Sequence, residues 1–158
     1  VSGAAPTGTA TNGRLRIHAT AVAIDGHAVL LRGVPGTGKS DLALRLIDAG
    51  AQLVTDDQCV LSRDGDALIV RPPERISGLI EVRGLGIMRI EAIPEAPVAL
   101  IADLVPPDKI ERMPARQRET ILGVTLPLIA LSPFEASAPV KLRLALRAFT
   151  TPGLPAML

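Results

Sequence analysis

The sequence predicts an α/β fold: a central β-sheet with flanking helices, in which a glycine-rich loop joins one strand to one helix. Three observations carry this. Apolar residues alternate in short runs along much of the chain, the period of strands. Gly33-Val34-Pro35-Gly36-Thr37-Gly38-Lys39-Ser40 lies between a short apolar strand and an amphipathic helix. The core must be aliphatic, because Phe134 and Phe149 are the sole aromatic residues among 158.

The elements follow in order. Residues 1–14 are mostly Gly, Ala, Thr, Ser and Pro and read as a disordered tail. The ordered domain is expected over 15–149. Ile17–Ile24 reads as a strand, with Asp25-Gly26 as a turn, and Ala28–Leu31 as a second strand entering the glycine-rich loop. Lys39–Ala49 reads as a helix with Leu42, Leu46 and Ile47 on one face and Gly50 as its stop. Gln52–Val54 is a strand that runs out into Thr55-Asp56-Asp57. Cys59–Ser62 and Ala67–Val70 form a hairpin across Asp64-Gly65. Leu79–Val82 and Ile87–Ile90 flank Arg83-Gly84-Leu85-Gly86, and Val98–Leu104 is a further strand. Arg116–Leu122 is expected to be a short helix. Val140–Arg147 alternates like a strand, but its residue types are helix formers and Ser137 and Pro139 suit a helix start, so a helix is expected. Residues 150–158, with Pro152, Gly153 and Pro155, read as a flexible C-terminal tail.

Composition narrows the function. The 17 basic and 16 acidic residues nearly cancel, so no nucleic-acid footprint is present. The scarcity of aromatics removes the stacking platforms used on single strands. No apolar run approaches the roughly 20 residues that span a bilayer, and no signal peptide opens the sequence. The single Cys59 rules out an internal disulfide framework. A cytoplasmic protein without a membrane partner is expected.

The pattern Gly, four residues, Gly, Lys, Ser is that of a P-loop. Small residues let backbone N–H groups wrap phosphate oxygens, Lys39 reaches the terminal phosphates, and Ser40 offers its hydroxyl to Mg²⁺. The helix starting there adds its positive end. Gly33 to Ser40 are therefore the expected phosphate-binding residues. Such a loop fits a kinase, a hydrolase or a switch.

Neighbouring residues refine this. Asp56 and Asp57 follow a strand, where side chains face the ligand crevice in parallel sheets; being adjacent they point apart, so one can face metal and the other an acceptor hydroxyl. Glu81 and Arg83 share one face of an extended segment beside Gly84 and Gly86. His18 lies on the first strand, where a histidine is more often structural. Cys59 reads as an inert core thiol. Arg112, Arg116 and Arg118 form a basic cluster beyond Pro106-Pro107, usually a solvated face and otherwise a phosphate clamp.

With these pieces in place, the chain resembles the HPr kinase/phosphorylase family over about Leu15 to Arg147. Three blocks carry the resemblance: Gly33–Ser40, Asp56-Asp57, and Leu79-Ile80-Glu81-Val82-Arg83-Gly84-Leu85-Gly86-Ile87. It implies an HPr kinase-like catalytic domain. That activity is ATP-dependent phosphorylation of a serine of the carrier HPr or an HPr-like protein, reversed by phosphorolysis with inorganic phosphate to give pyrophosphate. Mg²⁺ is the implied metal. By position, Asp56 resembles the catalytic acid/base and His18 the histidine that supports it. Ser40, Asp57 and Glu81 resemble the metal-side oxygen ligands, and Arg83 the signature arginine with Gly84 and Gly86. Arg112 resembles an arginine that, with Lys39, neutralises the transferring phosphate. Family members are typically hexamers. Longer members continue beyond the position of Phe149 into helices that grip HPr and neighbouring subunits, so a homo-oligomer and the mode of gripping HPr are open expectations. The alternatives are a P-loop kinase of a small metabolite and a nucleotide-sensing module without chemistry.

Overall fold

A computed structural model describes residues 8–152. The strands are β1 (Thr9–Thr11), β2 (Arg14–Ile17), β3 (Thr20–Ile24), β4 (His27–Arg32), β5 (Gln52–Thr55), β6 (Cys59–Asp64) and β7 (Ala67–Arg71). They continue as β8 (Leu79–Val82), β9 (Gly86–Arg89), β10 (Ala96–Leu104), β11 (Gln117–Ile121) and β12 (Val124–Leu131). Two α-helices are described, α1 (Lys39–Asp48) and α2 (Ala138–Thr150).

Ten strands form one curled sheet in the order β1-β2-β6-β7-β10-β4-β3-β5, with β12 also paired to β10 and β11 to β12. β8 and β9 form a separate hairpin. The long β10 holds the sheet together. Its first residues pair antiparallel with β7, while Ile101–Leu104 pair parallel with β12, and β4 lies parallel along its other side. β3 runs antiparallel to both β4 and β5, so β4, β5, β10 and β12 all end at one edge.

Strand alternation sorts side chains into two cores. Val29 and Leu31 of β4 and Val22 of β3 face Leu42, Ala43 and Leu46 of α1 and Leu142, Ala145 and Leu146 of α2. Ala28 and Leu30 of β4 and Ala21 and Ala23 of β3 face the opposite way, onto Leu15, Ile17, Leu61, Leu68, Val70 and Ile121. The helices expected to flank the sheet thus lie together on one face. The other face is covered by the curl of the sheet itself.

Three expectations need correction. The Arg116–Leu122 segment is strand β11, hairpin-paired to β12, because Leu122 (φ 50°) and Gly123 (φ 81°) make a turn with both residues left-handed, the geometry that fits strand twist. Part of the segment expected to be an N-terminal tail is strand, at Thr9–Thr11 and from Arg14. Asn12 (φ 52°) and Gly13 (φ 74°) form a turn of the same kind that folds β1 onto β2, leaving residues 1–7 outside the described residues. The single strand expected over Ile17–Ile24 is two, broken at His18-Ala19, with β2 paired to β6 and β3 to β4. Helix α2 continues to Thr150, and residues 153–158 of the expected C-terminal tail lie outside the described residues.

Candidate active site

The glycine-rich loop leaves β4 at Arg32 and enters α1 at Lys39. Gly36 (φ 85°) and Gly38 (φ 102°) adopt the left-handed conformation that a side chain disfavours, which is why the loop needs glycine at both. The Thr37 amide and hydroxyl both donate to the Val34 carbonyl, at 3.2 and 2.8 Å, closing the loop on itself. No side chain caps α1, so its first amides have no capping side chain as partner. The buried Lys39 ammonium donates to the carbonyls of Gly33 (2.7 Å) and Val34 (3.3 Å).

Asp56 is buried directly beneath this loop. Its Oδ1 accepts hydrogen bonds from Ser40 Oγ at 2.6 Å and Thr20 Oγ1 at 2.9 Å, and its Oδ2 accepts from the Glu81 N–H at 3.0 Å. One carboxylate thereby ties helix α1, the β3 strand and the β8–β9 hairpin together. Thr20, and not His18, is the side chain from the first strands that holds it.

Asp57 is placed differently. It is exposed, with φ 65°, unusual for a residue other than glycine. The Gln58 N–H reaches back to the Asp56 carbonyl at 2.8 Å, and the Asp57 N–H donates to Thr20 Oγ1 at 3.0 Å. These two bonds fix the strained turn and leave the Asp57 carboxylate free of a protein hydrogen-bond donor among the described residues. The carboxylate lines a cleft of about 910 Å³ together with His18, Glu81, Arg83, Lys39 and Ser40. Gly84 (φ 90°) and Gly86 (φ 103°) form the tight turn that carries Arg83 back over this cleft.

The oxygens gathered here suit a hard divalent cation. Ser40 and Asp56 meet at the start of α1, and Asp57 and Glu81 line the same cleft. Mg²⁺ is commonly held by one or two carboxylates plus substrate phosphates, and not by a complete protein cage. Among the described residues no three His, Cys, Asp or Glu side chains form a cluster that would hold an ion unaided.

Two residues of this cleft escaped the sequence. Arg32 makes four hydrogen bonds, to Asp103 (2.7 and 3.1 Å) and to buried Glu119 (2.6 and 2.8 Å). Burial works against its charge, yet the bonds to Glu119 and Asp103 outweigh that and hold its pKa above the ordinary arginine value. Phe134, after β12, lies at the cleft's other lip. The strand alternation of β4 carried no hint of the partners of Arg32, and nothing in the residues around Phe134 marked it as part of a cleft. Arg112 was expected near the phosphate; it is exposed in the loop before β11 and does not line the cleft. Cys59 is buried, its thiol donating to the Ala19 carbonyl at 3.2 Å. Burial, with Asp56 and Asp57 adding negative charge, pushes its pKa well up, as befits an inert core thiol.

Fold and site together define a class: a mixed α/β protein with a curled sheet and few helices, in which a glycine-rich loop opens a helix over a strand-end carboxylate. The family described as HPr Serine kinase C-terminal domain matches residues 10–136, and the chain belongs to this family. The HPr kinase/phosphorylase of Geobacillus thermodenitrificans is 35% identical over 128 residues, covering 73% of this chain and 41% of that protein. That of Chlorobium chlorochromatii is 39% identical over 127 residues, covering 72% and 38%. The chain thus spans about 40% of the length of these curated relatives. The solved Hpr(Ser) kinase/phosphatase from Coxiella burnetii superposes with a TM-score of 0.75 at 32% identity, covering 84% of this chain and 93% of that one. Among the described residues no helix is long and apolar enough to cross a membrane.

Proposed function

We propose that this domain transfers the γ-phosphate of ATP to a serine of HPr or an HPr-like phosphocarrier, and reverses the modification by phosphorolysis to pyrophosphate. The observation that carries the proposal is the division of labour between adjacent carboxylates: Asp56 buried against the loop serine, Asp57 free in the cleft. The family match supports the substrate.

In the forward direction the N–H groups of Gly36–Ser40 and the Lys39 ammonium hold the β- and γ-phosphates. Ser40 and Asp56, with Glu81 alongside, would hold Mg²⁺, which would supply positive charge against the phosphates. Asp57 takes the proton of the carrier's serine hydroxyl as its oxygen attacks the γ-phosphorus in line. The bond from that phosphorus to the β–γ bridging oxygen breaks, and ADP leaves. In reverse, inorganic phosphate attacks the phosphoserine phosphorus, the bond to the serine oxygen breaks, and protonated Asp57 returns its proton to that oxygen. His18 lines the cleft with Asp57, and Arg83 supplies positive charge from the hairpin.

This assigns the acid/base to Asp57 and the metal side to Asp56, the reverse of what the resemblance suggested. The reason is access. Every oxygen of Asp56 already accepts a hydrogen bond beneath the loop, where a protein's serine cannot reach. Arg112 takes no part in this reading. An ATP donor fits a reaction in the cytoplasm. Val140 and Leu144, exposed one turn apart on α2, support self-association. The test is incubation with ATP, Mg²⁺ and an HPr-like carrier, followed by mass spectrometry of the carrier. Wild type should add one phosphate to a serine and Lys39→Ala should add none. Transfer unchanged in Lys39→Ala would remove the loop from the mechanism.

A further inference from the structure

Phe134 is one of two aromatic residues in the chain, and it is 69% exposed. It is nonetheless held in place. Pro133 before it is buried, and Arg45 of α1 donates to the carbonyls on either side of it, those of Pro133 and Glu135. Asp41 steadies Arg45 (3.1 Å), and Lys141 steadies Glu135 (2.7 Å). The ring lies against the P-loop backbone: a Cβ built on Gly38 would meet its Cζ at 2.8 Å. Neither core includes this ring, which lines both the cleft that Lys39 lines and a smaller pocket beside Thr37, Pro106 and Pro107.

Strand order says what the ring faces. The P-loop rises from β4. On one side of β4 come β3 and then β5, which ends at Asp56-Asp57. On the other come β10 and then β12, which ends just before Phe134. The loop therefore has Asp57 to one side and Phe134 to the other. In-line transfer puts the attacking oxygen and the leaving diphosphate on opposite sides of the γ-phosphorus. If the acceptor enters beside Asp57, the rest of the nucleotide leaves toward Phe134.

We propose that the exposed ring of Phe134 is the nucleobase subsite: it stacks the base of a purine nucleoside triphosphate whose phosphates lie in the loop. This rests on the reading that the loop holds the donor's phosphates. The braced loop fixes the backbone that carries the ring, which lowers the ordering cost of the stack. Because every base presents a π-face, the subsite tolerates adenine and guanine alike.

Calorimetric titration of the full chain with Mg²⁺–ATP and with Mg²⁺–tripolyphosphate separates the base from the phosphates. Phe134→Ala and Phe134→Leu should each weaken ATP by about tenfold or more, the scale of one base–aromatic stack, and leave tripolyphosphate within about twofold. Phe134→Trp should restore ATP. Because the chain has no other Trp and no Tyr, that variant also reports directly: ATP should quench its fluorescence and tripolyphosphate should not. Wild-type affinity for ATP in both Phe134→Ala and Phe134→Leu overturns the subsite. So does equal loss of ATP and tripolyphosphate, which would make the ring a prop for the loop, and so does Trp fluorescence unmoved by saturating ATP. If wild type binds neither ligand, the phosphate reading of the loop fails and the subsite falls with it.

Discussion

Removing the Arg32 guanidinium should destabilise the domain more than any single exposed charge could. Arg32 bridges two carboxylates with four hydrogen bonds of 2.6 to 3.1 Å, linking the end of β4 to β10 and β11. Glu119 is only 6% exposed, so Arg32→Ala leaves a buried charge without its partner, a loss of about 3–5 kcal/mol. Asp103 is wetter, at 38%, and water takes over its share, which argues for the lower end, about 3 kcal/mol. At roughly 2–4 °C per kcal/mol for a domain of this size, the melting temperature should fall by about 6–12 °C. Glu119→Gln keeps the shape and one acceptor and should cost about 1 kcal/mol, near 2–4 °C. Scanning calorimetry of the two single variants and their double variant gives the coupling. It should be about 1 kcal/mol or more, and only weakly salt-dependent because the pair is sheltered. An Arg32→Ala protein melting within 2 °C of wild type, or strictly additive effects in the double variant, would refute the reasoning.

Two further outcomes follow from the geometry. Gly38→Ala meets both a left-handed backbone (φ 102°) and the Phe134 ring; strain of about 1–2 kcal/mol should lower the melting temperature by a few degrees, and ATP binding by titration should be lost. Cys59, whose raised pKa keeps it protonated through neutral pH, should resist a thiol reagent at pH 8 in the folded protein and react fully in guanidinium; rapid labelling of the native state would contradict its placement.

What could be read from the sequence was local. The glycine-rich loop, helix α1 and the β6–β7 and β8–β9 hairpins each have their pattern and turn residues within a few positions of one another. The turns at Asn12-Gly13 and Leu122-Gly123 did not show: polar threonines around the first and helix-forming Gln117, Arg118 and Glu119 before the second hid the strands they join. β12 was obscured by Pro127, a residue that usually argues against a strand interior. Long-range pairings were beyond reach. The partners of Arg32 lie 71 and 87 residues away, and nothing near Glu119 announces that a carboxylate there is buried. The same limit applied to the two aspartates. Alternation predicted that Asp56 and Asp57 point apart, but which of them meets Ser40 depends on how β5 sits beside α1.

The claim at the centre of this account is that Asp57 exchanges the proton while Asp56 serves the metal side of the loop. Its most direct test is Asp57→Asn beside wild type and Asp56→Asn, assayed for serine phosphorylation of an HPr-like carrier, for phosphate-dependent pyrophosphate release, and for ATP binding. The account predicts that Asp57→Asn binds ATP as wild type does yet loses both reactions by roughly 10²–10⁴-fold, the contribution of one general acid/base. Asp56→Asn should instead weaken Mg²⁺-dependent ATP binding. Near-wild-type rates in both directions for Asp57→Asn, with normal ATP binding and lost transfer in Asp56→Asn, would contradict it and return the proton to Asp56.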